Sequence, residues 1–303
     1  MHSMVTERLQ AWMDMNGQTN PPTAILFYRD GISESQFSSC TANEIVQVKN
    51  AHTDLVEKAR AKLRCTIAEL RDLKGKDAEL KELERKKLEL KDLERNKLEL
   101  TFVIVGKRHH TRFYSTNENE TNKMKTKENG QVQEFLSGNP RPGLLIDSMV
   151  TNPAPPNFYL QSHCALKGTA RPAHYHVLED GMSLYLESTG PLAELTYMLC
   201  YAFGRATKGV SYVAPAYIAD RLCERGRVYL RPWNMNPEQR PTFTPPKDAN
   251  GKLDKDKVPA AKHQHAKDLA ATPEVWGRNY NLKPGKERLN PWHPCFDKVM
   301  FWM

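Results

Sequence analysis

A chain of 303 residues with 39% hydrophobic content is long enough for one large α/β domain or two average ones, each able to bury a sizeable core. Its 44 Lys and Arg exceed its 36 Asp and Glu by eight charges, a balance that suits a polyanionic partner. The six cysteines are scattered without a CxxC pair, and no run approaches the roughly 18 apolar residues of a membrane span. A zinc framework, a disulfide scaffold and a spanning helix are therefore not expected, and the reading is a soluble protein of a reducing, intracellular compartment.

Residues 4–14, MVTERLQAWMD, carry apolar residues at helical spacing, and the stretch from Gly17 to Pro22 ends that helix before the apolar run 24–28. That run predicts a strand, and it delivers Asp30 to a turn opened by Gly31. Two uses of Asp30 stand open: a turn cap, since Asp-Gly pairs favour turns, or an oxygen ligand for a hard cation at a strand end. Residues 41–70 read as a helix with Ile45, Val46, Val48, Leu55, Val56 and Leu63 on its apolar face.

A repeat follows, in which KELERKKLEL (81–90) recurs as KDLERNKLEL (91–100) with eight of ten positions identical. Ten residues rotate a helical stripe by about 80°, so no coiled-coil seam is held. The segment 66–100 is expected to be a solvated, charge-laced helical insertion, with recruitment of a protein partner as the alternative.

TFVIVGK (101–107) is β-branched and aromatic, which predicts a buried strand leading into KRHHTRFY (107–114). Lys107, Arg108, His109, His110 and Arg112 then crowd one edge of a sheet, where they suit backbone phosphates, a solvated basic turn or, less well supported by neighbours, a metal. Residues 115–140 have the composition of a disordered polar loop. Short apolar segments at 144–150, 158–160 and 174–178 follow, with His174 and His176 on one side of the last. PLAELTYMLCYAFGRA (191–206) reads as an amphipathic helix. The stretch 203–231 then gathers Arg205, Lys208, Ser211, Tyr217, Arg221, Arg225 and Arg227 around Asp220, either as a phosphate-binding set or as a basic helix with an internal ion pair. Residues 234–290, rich in Pro, Lys and Asp, are expected to be a surface excursion, and the apolar ending NPWHPCFDKVMFWM is expected to be buried.

In order, FYRDGISESQF, FVIVGKRHHTRFY, FYLQSH with GTARPAHYHVL, LTYMLCYAFGRATKGVSYVAPAYIADRLCERGR and NPWHPCFDKVMFWM together resemble the C-terminal part of the Argonaute/Piwi family. The likeness runs from about residue 4 to 231 and again over the last dozen residues, and ADRLCERGR and NPWHP are worded most like fungal members.

The resemblance implies an α/β fold, an RNase H-like PIWI domain over residues 1–303, here without the opening strands of its sheet. It also implies that Asp30 and Asp220 are catalytic carboxylates that hold Mg²⁺ or Mn²⁺. Lys107, Arg108, Arg112, His163, Arg171, Arg205, Lys208, Ser211, Tyr217 and Arg225 match positions that line a guide strand's phosphates, with Arg225 near the 5′ phosphate and the carboxylate of Met303. The implied partners are a small guide RNA and its complementary target RNA, in RNA silencing, in the cytoplasm or the nucleus. The family's first catalytic aspartate, its catalytic glutamate and its MID and PAZ portions all precede the helix that begins here near Met4. This chain by itself is therefore expected to bind RNA without cleaving it. The alternatives are an Mg²⁺-dependent endoribonuclease if an upstream portion exists, or a protein scaffold built on the charged helix.

Overall fold

The computed structural model describes residues 1–72, 77–95, 97–128, 131–152, 154–165, 167–185, 190–235, 243–247 and 251–271. They fall in two units, Met1–Ala216 and Tyr217–Met303.

In the first unit, α1 (His2–Asn16) stops where Gly17 takes a left-handed conformation, φ 62°, that an L side chain would resist. Strand β1 (Ala24–Asp30) follows, then a helix whose parts are α2 (Phe37–Cys40), a π-turn at Thr41–Ile45 and α3 (Val46–Asp72). The chain returns through α4 (Asp77–Arg95) into β2 (Glu99–Gly106). Parallel strands need such a long crossover, and β1 pairs with β2 in parallel from Ala24 opposite Glu99 to Asp30 opposite Val105. Strands β5 (Leu144–Ile146), β6 (Asn157–Gln161) and β7 (Ala173–Asp180) complete a mixed sheet of order β1-β2-β7-β6-β5, in which every other pairing is antiparallel.

Period-two alternation divides the sheet's side chains between two faces. Phe102 and Ile104 of β2 point into a core made with Val5 and Leu9 of α1 and Val48, Ala51 and Leu55 of α3. The opposite face carries Tyr175, which stacks on Phe158 at 5.1 Å and accepts the Val213 N–H at 3.1 Å. There too Tyr28 shares a 2.8 Å hydrogen bond with Thr196 of α5 (Gly190–Leu199). Register places Asp30, with Val105 and Tyr175, on this second face. In the second unit the described residues include most of α6 (Ala214–Met235) and α7 (Val258–Ala271), the latter lying in a stretch read from sequence as a surface excursion.

Three expectations need correction. The segment 115–140 is no structureless loop, since β3 (Thr121–Glu128) pairs antiparallel with β4 (Gln131–Pro140). Only two residues separate the strands, and they are Asn129 and Gly130, the dipeptide that most favours a two-residue hairpin connection. The helix expected over 191–206 ends at Leu199, and residues 200–213 form a docked loop instead. The repeat at 66–100 is only partly solvated, because α4 folds back on α3 and brings Leu90 and Leu93 against Val56, Ala59 and Leu63. Its charges are satisfied along the helix, in Lys86–Glu89 at 2.9 Å and Lys87–Glu84 at 2.7 Å. The repeat also leaves the helix before it ends. Lys-Leu-Glu-Leu is helical at 87–90, but the same four residues at 97–100 lead into β2, so packing overrides local propensity.

Leu93 is 4% exposed, so Leu93→Ala is expected to destabilise the α3–α4 hairpin by about 2–3 kcal/mol. Hydrogen exchange should show faster exchange across 77–95 while the amides of 101–105 keep their protection. Equal loss across β2 would show that α4 and the sheet unfold as one unit.

Candidate nucleic-acid interface

Sheet direction alone decides which loops meet. β1 and β2 run together, β7 runs against β2 and β6 against β7. The end of β1 at Asp30, the end of β2 at Gly106, the start of β7 at Ala173 and the end of β6 at Gln161 therefore share one edge. That edge carries Lys107, Arg108 and Arg112 after β2, His163 after β6 and Arg171 before β7. Five of the positions that the resemblance assigns to guide phosphates are thus brought to one end of one sheet by topology. Arg108 and Arg171 are exposed there, while Lys107, Arg112 and His163 are half-buried.

The loop 200–213 is drawn to the same edge. Lys107 Nζ sits 3.7 Å above the Tyr212 ring, a cation–π contact. Ser162 Oγ donates to the Val210 carbonyl at 2.6 Å, and Val210 N–H donates to the Cys200 carbonyl at 3.0 Å. Gly209 is required by close approach, since a Cβ there would stand 2.6 Å from the Ser162 carbonyl oxygen and 2.8 Å from Tyr201 Cζ. This docking presents Arg205 and Lys208 exposed and Ser211 half-buried.

Arg112 turns part of its guanidinium inward, and its Nη1 donates to the carbonyls of His109 at 3.1 Å and Thr111 at 2.7 Å. It shapes the basic segment as well as charging it. Burial, with Lys107 nearby, holds His163 below the usual imidazole range, so near neutrality it is a neutral hydrogen-bonding group. Gln161 Nε2 fixes that residue by donating to its carbonyl at 2.6 Å.

Sequence reasoning missed the braces. Buried Asn139 donates to the Gly168 carbonyl at 2.9 Å and accepts the Ala170 N–H at 2.7 Å, which fixes the turn before Arg171. Tyr212 and Gly209 play the same part for the loop that carries Arg205, Lys208 and Ser211. Their one local signal is glycine, and glycine occurs 16 times, which is too often to single out a position.

Beneath the edge runs a stack of rings. His174 lies 3.9 Å from Tyr159 and 3.9 Å from His176, and its Nε2 meets Asn157 Oδ1 at 2.8 Å. The two histidines share a face, as alternation predicts, and serve as packing groups. Burial, followed by the His176 and His109 rings, pushes His174 down to about 3. A free histidine titrates near 6.5. As pH falls below about 6.5 the unfolded chain takes up a proton that the fold refuses, so stability present above that pH declines toward pH 3. His174→Gln keeps a donor for Asn157 but does not titrate. It is expected to flatten the fall in urea midpoint between pH 7.5 and 5.5, and an unchanged slope would assign that fall to other groups.

The second unit holds the remaining assigned residues, all on α6. Arg225 is exposed and Tyr217 half-buried, and the Arg221 guanidinium lies 5.0 Å from the Tyr217 ring centre. Asp220 pairs with Arg221 at 3.6 Å, and Arg221 reaches Glu224 at 2.5 Å, so the internal ion pair left open by the sequence is formed. Among the described residues no three His, Cys, Asp or Glu side chains converge as a metal centre would require. Met303 and the apolar C-terminal stretch lie outside the described residues.

The mixed sheet and its flanking helices have counterparts among solved structures. The C-terminal lobe of a budding yeast Argonaute superposes with a TM-score of 0.55 at 28% identity, covering 79% of this chain and 39% of that one. Kluyveromyces polysporus Argonaute with a guide RNA gives 0.54 at 26% identity, covering 78% and 23%. The fold is thus the RNase H-like fold of PIWI lobes. A Piwi domain family model matches residues 1–74 and 73–231. Protein argonaute 1C of Oryza sativa subsp. japonica is 33% identical over 229 residues, 76% of this chain and 18% of that protein. Protein argonaute 5 of Arabidopsis thaliana is 33% identical over 231 residues, again 76% and 18%. The chain belongs to the Argonaute/Piwi family, and it spans 18% of the length of these two relatives.

Proposed function

We propose that this chain grips the sugar-phosphate backbone of a small guide RNA, and of the target RNA paired with it, in RNA silencing. The observation that carries the reading is the single sheet edge on which topology gathers Lys107, Arg108, Arg112, His163 and Arg171 and to which the 200–213 loop docks. Cations and hydroxyls in that arrangement position a strand without reading its bases. The structural neighbour solved with a guide RNA supports the choice of ligand.

Binding should be salt-sensitive, with log K falling by about 0.7 per released phosphate contact against log salt for a single strand. Fluorescence anisotropy of the whole chain with a 5′-phosphorylated single-stranded RNA, titrated across salt, tests this. Binding indifferent to salt, or none at all, would sink the reading.

Mg²⁺ or Mn²⁺ enters only as a family expectation for Asp30 and Asp220. Asp30 and Asp220 belong to different units, and we derive no cleavage step from them. The chain is expected to leave a guide-matched RNA intact in Mg²⁺. Guide-directed product would instead establish the endoribonuclease reading, with Asp30→Ala and Asp220→Ala as its next tests. A scaffold built on α4 is less favoured, because Leu90 and Leu93 are already committed to α3.

A further inference from the structure

His109 lies among the basic residues of the sheet edge but points away from the role they share. Its Nε2 stands 2.8 Å from the carbonyl oxygen of Pro172, joining the segment after β2 to the segment before β7. Its own carbonyl accepts from Arg112 at 3.1 Å. The ring is held edge-on to Tyr159, with centroids 5.3 Å apart. Nδ1 is buried and has no hydrogen-bond partner among the described residues. A carbonyl can only accept, so the proton must sit on Nε2, and the contact with Pro172 fixes one tautomer of a neutral ring. Burial favours that neutral form, and the charges of Arg112 and Arg171 reinforce it.

We propose that His109 is a positioning residue, a staple that holds the segment bearing Arg108 and Arg112 against the one bearing Arg171, so that their guanidinium groups meet one run of phosphates together. The proposal rests on the RNA-binding reading given above. Arginine side chains are long, and what presets them is the backbone from which they project. Without the staple the two segments move independently, and binding must supply the ordering that the hydrogen bond now supplies in advance.

The test uses the whole chain and a fluorescein-labelled single-stranded RNA of about 12 nucleotides. His109→Phe keeps a ring against Tyr159 but has no donor, whereas His109→Gln keeps an N–H able to reach Pro172. His109→Phe is expected to weaken binding about tenfold and lower the salt slope by about one, with His109→Gln restoring both. Before RNA is added, hydrogen exchange over 107–114 and 168–172 should quicken in His109→Phe and not in His109→Gln. Wild-type affinity and slope in His109→Phe would overturn the proposal, as would equal impairment in both variants, since bulk rather than the donor would then be at issue. If the wild-type chain binds no RNA, the RNA reading fails separately. The staple is then decided by exchange alone, and unchanged protection in His109→Phe removes it.

Discussion

Alanine at Lys107, Arg108 and Arg171 together is expected to weaken single-stranded RNA binding about a hundredfold near 0.1 M salt and to lower the salt slope by about two. The estimate follows from three cations leaving one sheet edge, each releasing about 0.7 of a counterion less per phosphate. Arg108 and Arg171 are exposed, so their loss touches no core. Lys107 does more, because its ammonium lies over Tyr212 and helps seat the loop that carries Arg205, Lys208 and Ser211. Its share should therefore exceed that of either arginine. Lys107→Arg should recover part of it, since a guanidinium also lies favourably on an aromatic face. Anisotropy titrations at several salt concentrations provide the measurement. A triple variant that binds within about threefold of wild type, at an unchanged slope, would show that RNA is held elsewhere.

The largest effect on stability is expected at Phe102, which is 0% exposed at the centre of β2. It stacks on Phe27 of β1 at 4.8 Å with planes 7° apart, and it closes the core formed with α1 and α3. Phe102→Ala removes that stack and leaves a cavity between the sheet and the helices α1 and α3, at a cost of about 3–5 kcal/mol. Phe102→Leu retains most of the volume and should cost less than about 1.5 kcal/mol. Urea unfolding by circular dichroism, with the slope unchanged and the midpoint lowered, would show the difference. Similar midpoints for the two variants would mean that this part of the core tolerates a void.

Much of this was legible in the residues. The β-branched run at 101–105 is the strand its composition predicts, and the cations that follow it lie at one edge of the sheet, as read from their place directly after a buried strand. Missing from sequence were features that depend on partners far along it. Asn139 is an ordinary polar residue until the turn at 168–170 closes on it, 29 residues away at Gly168. Composition hid the β3–β4 hairpin because lysine-rich β3 and the polar flanks of β4 resemble loop, and the signal that could have found it is the Asn129-Gly130 dipeptide. For Asp220, whose neighbour Arg221 is adjacent in sequence, the ion pair was foreseeable and was one of two readings kept open.

The ten-residue repeat runs out of α4 and into β2. Its second copy already contains Glu99 and Leu100, whose register opposite Ala24 and Ile25 fixes where the sheet begins. Gain or loss of a whole unit during DNA replication, the usual fate of tandem repeats, would leave the strand untouched only if the change were absorbed upstream, toward the α3–α4 connection. Each added unit would also turn the helix face that meets α3 by about 80°. Copy number in this gene is therefore constrained by geometry rather than by coding sequence. Length variants that survive should differ in how far α3 and α4 extend, and agree from Leu98 onward.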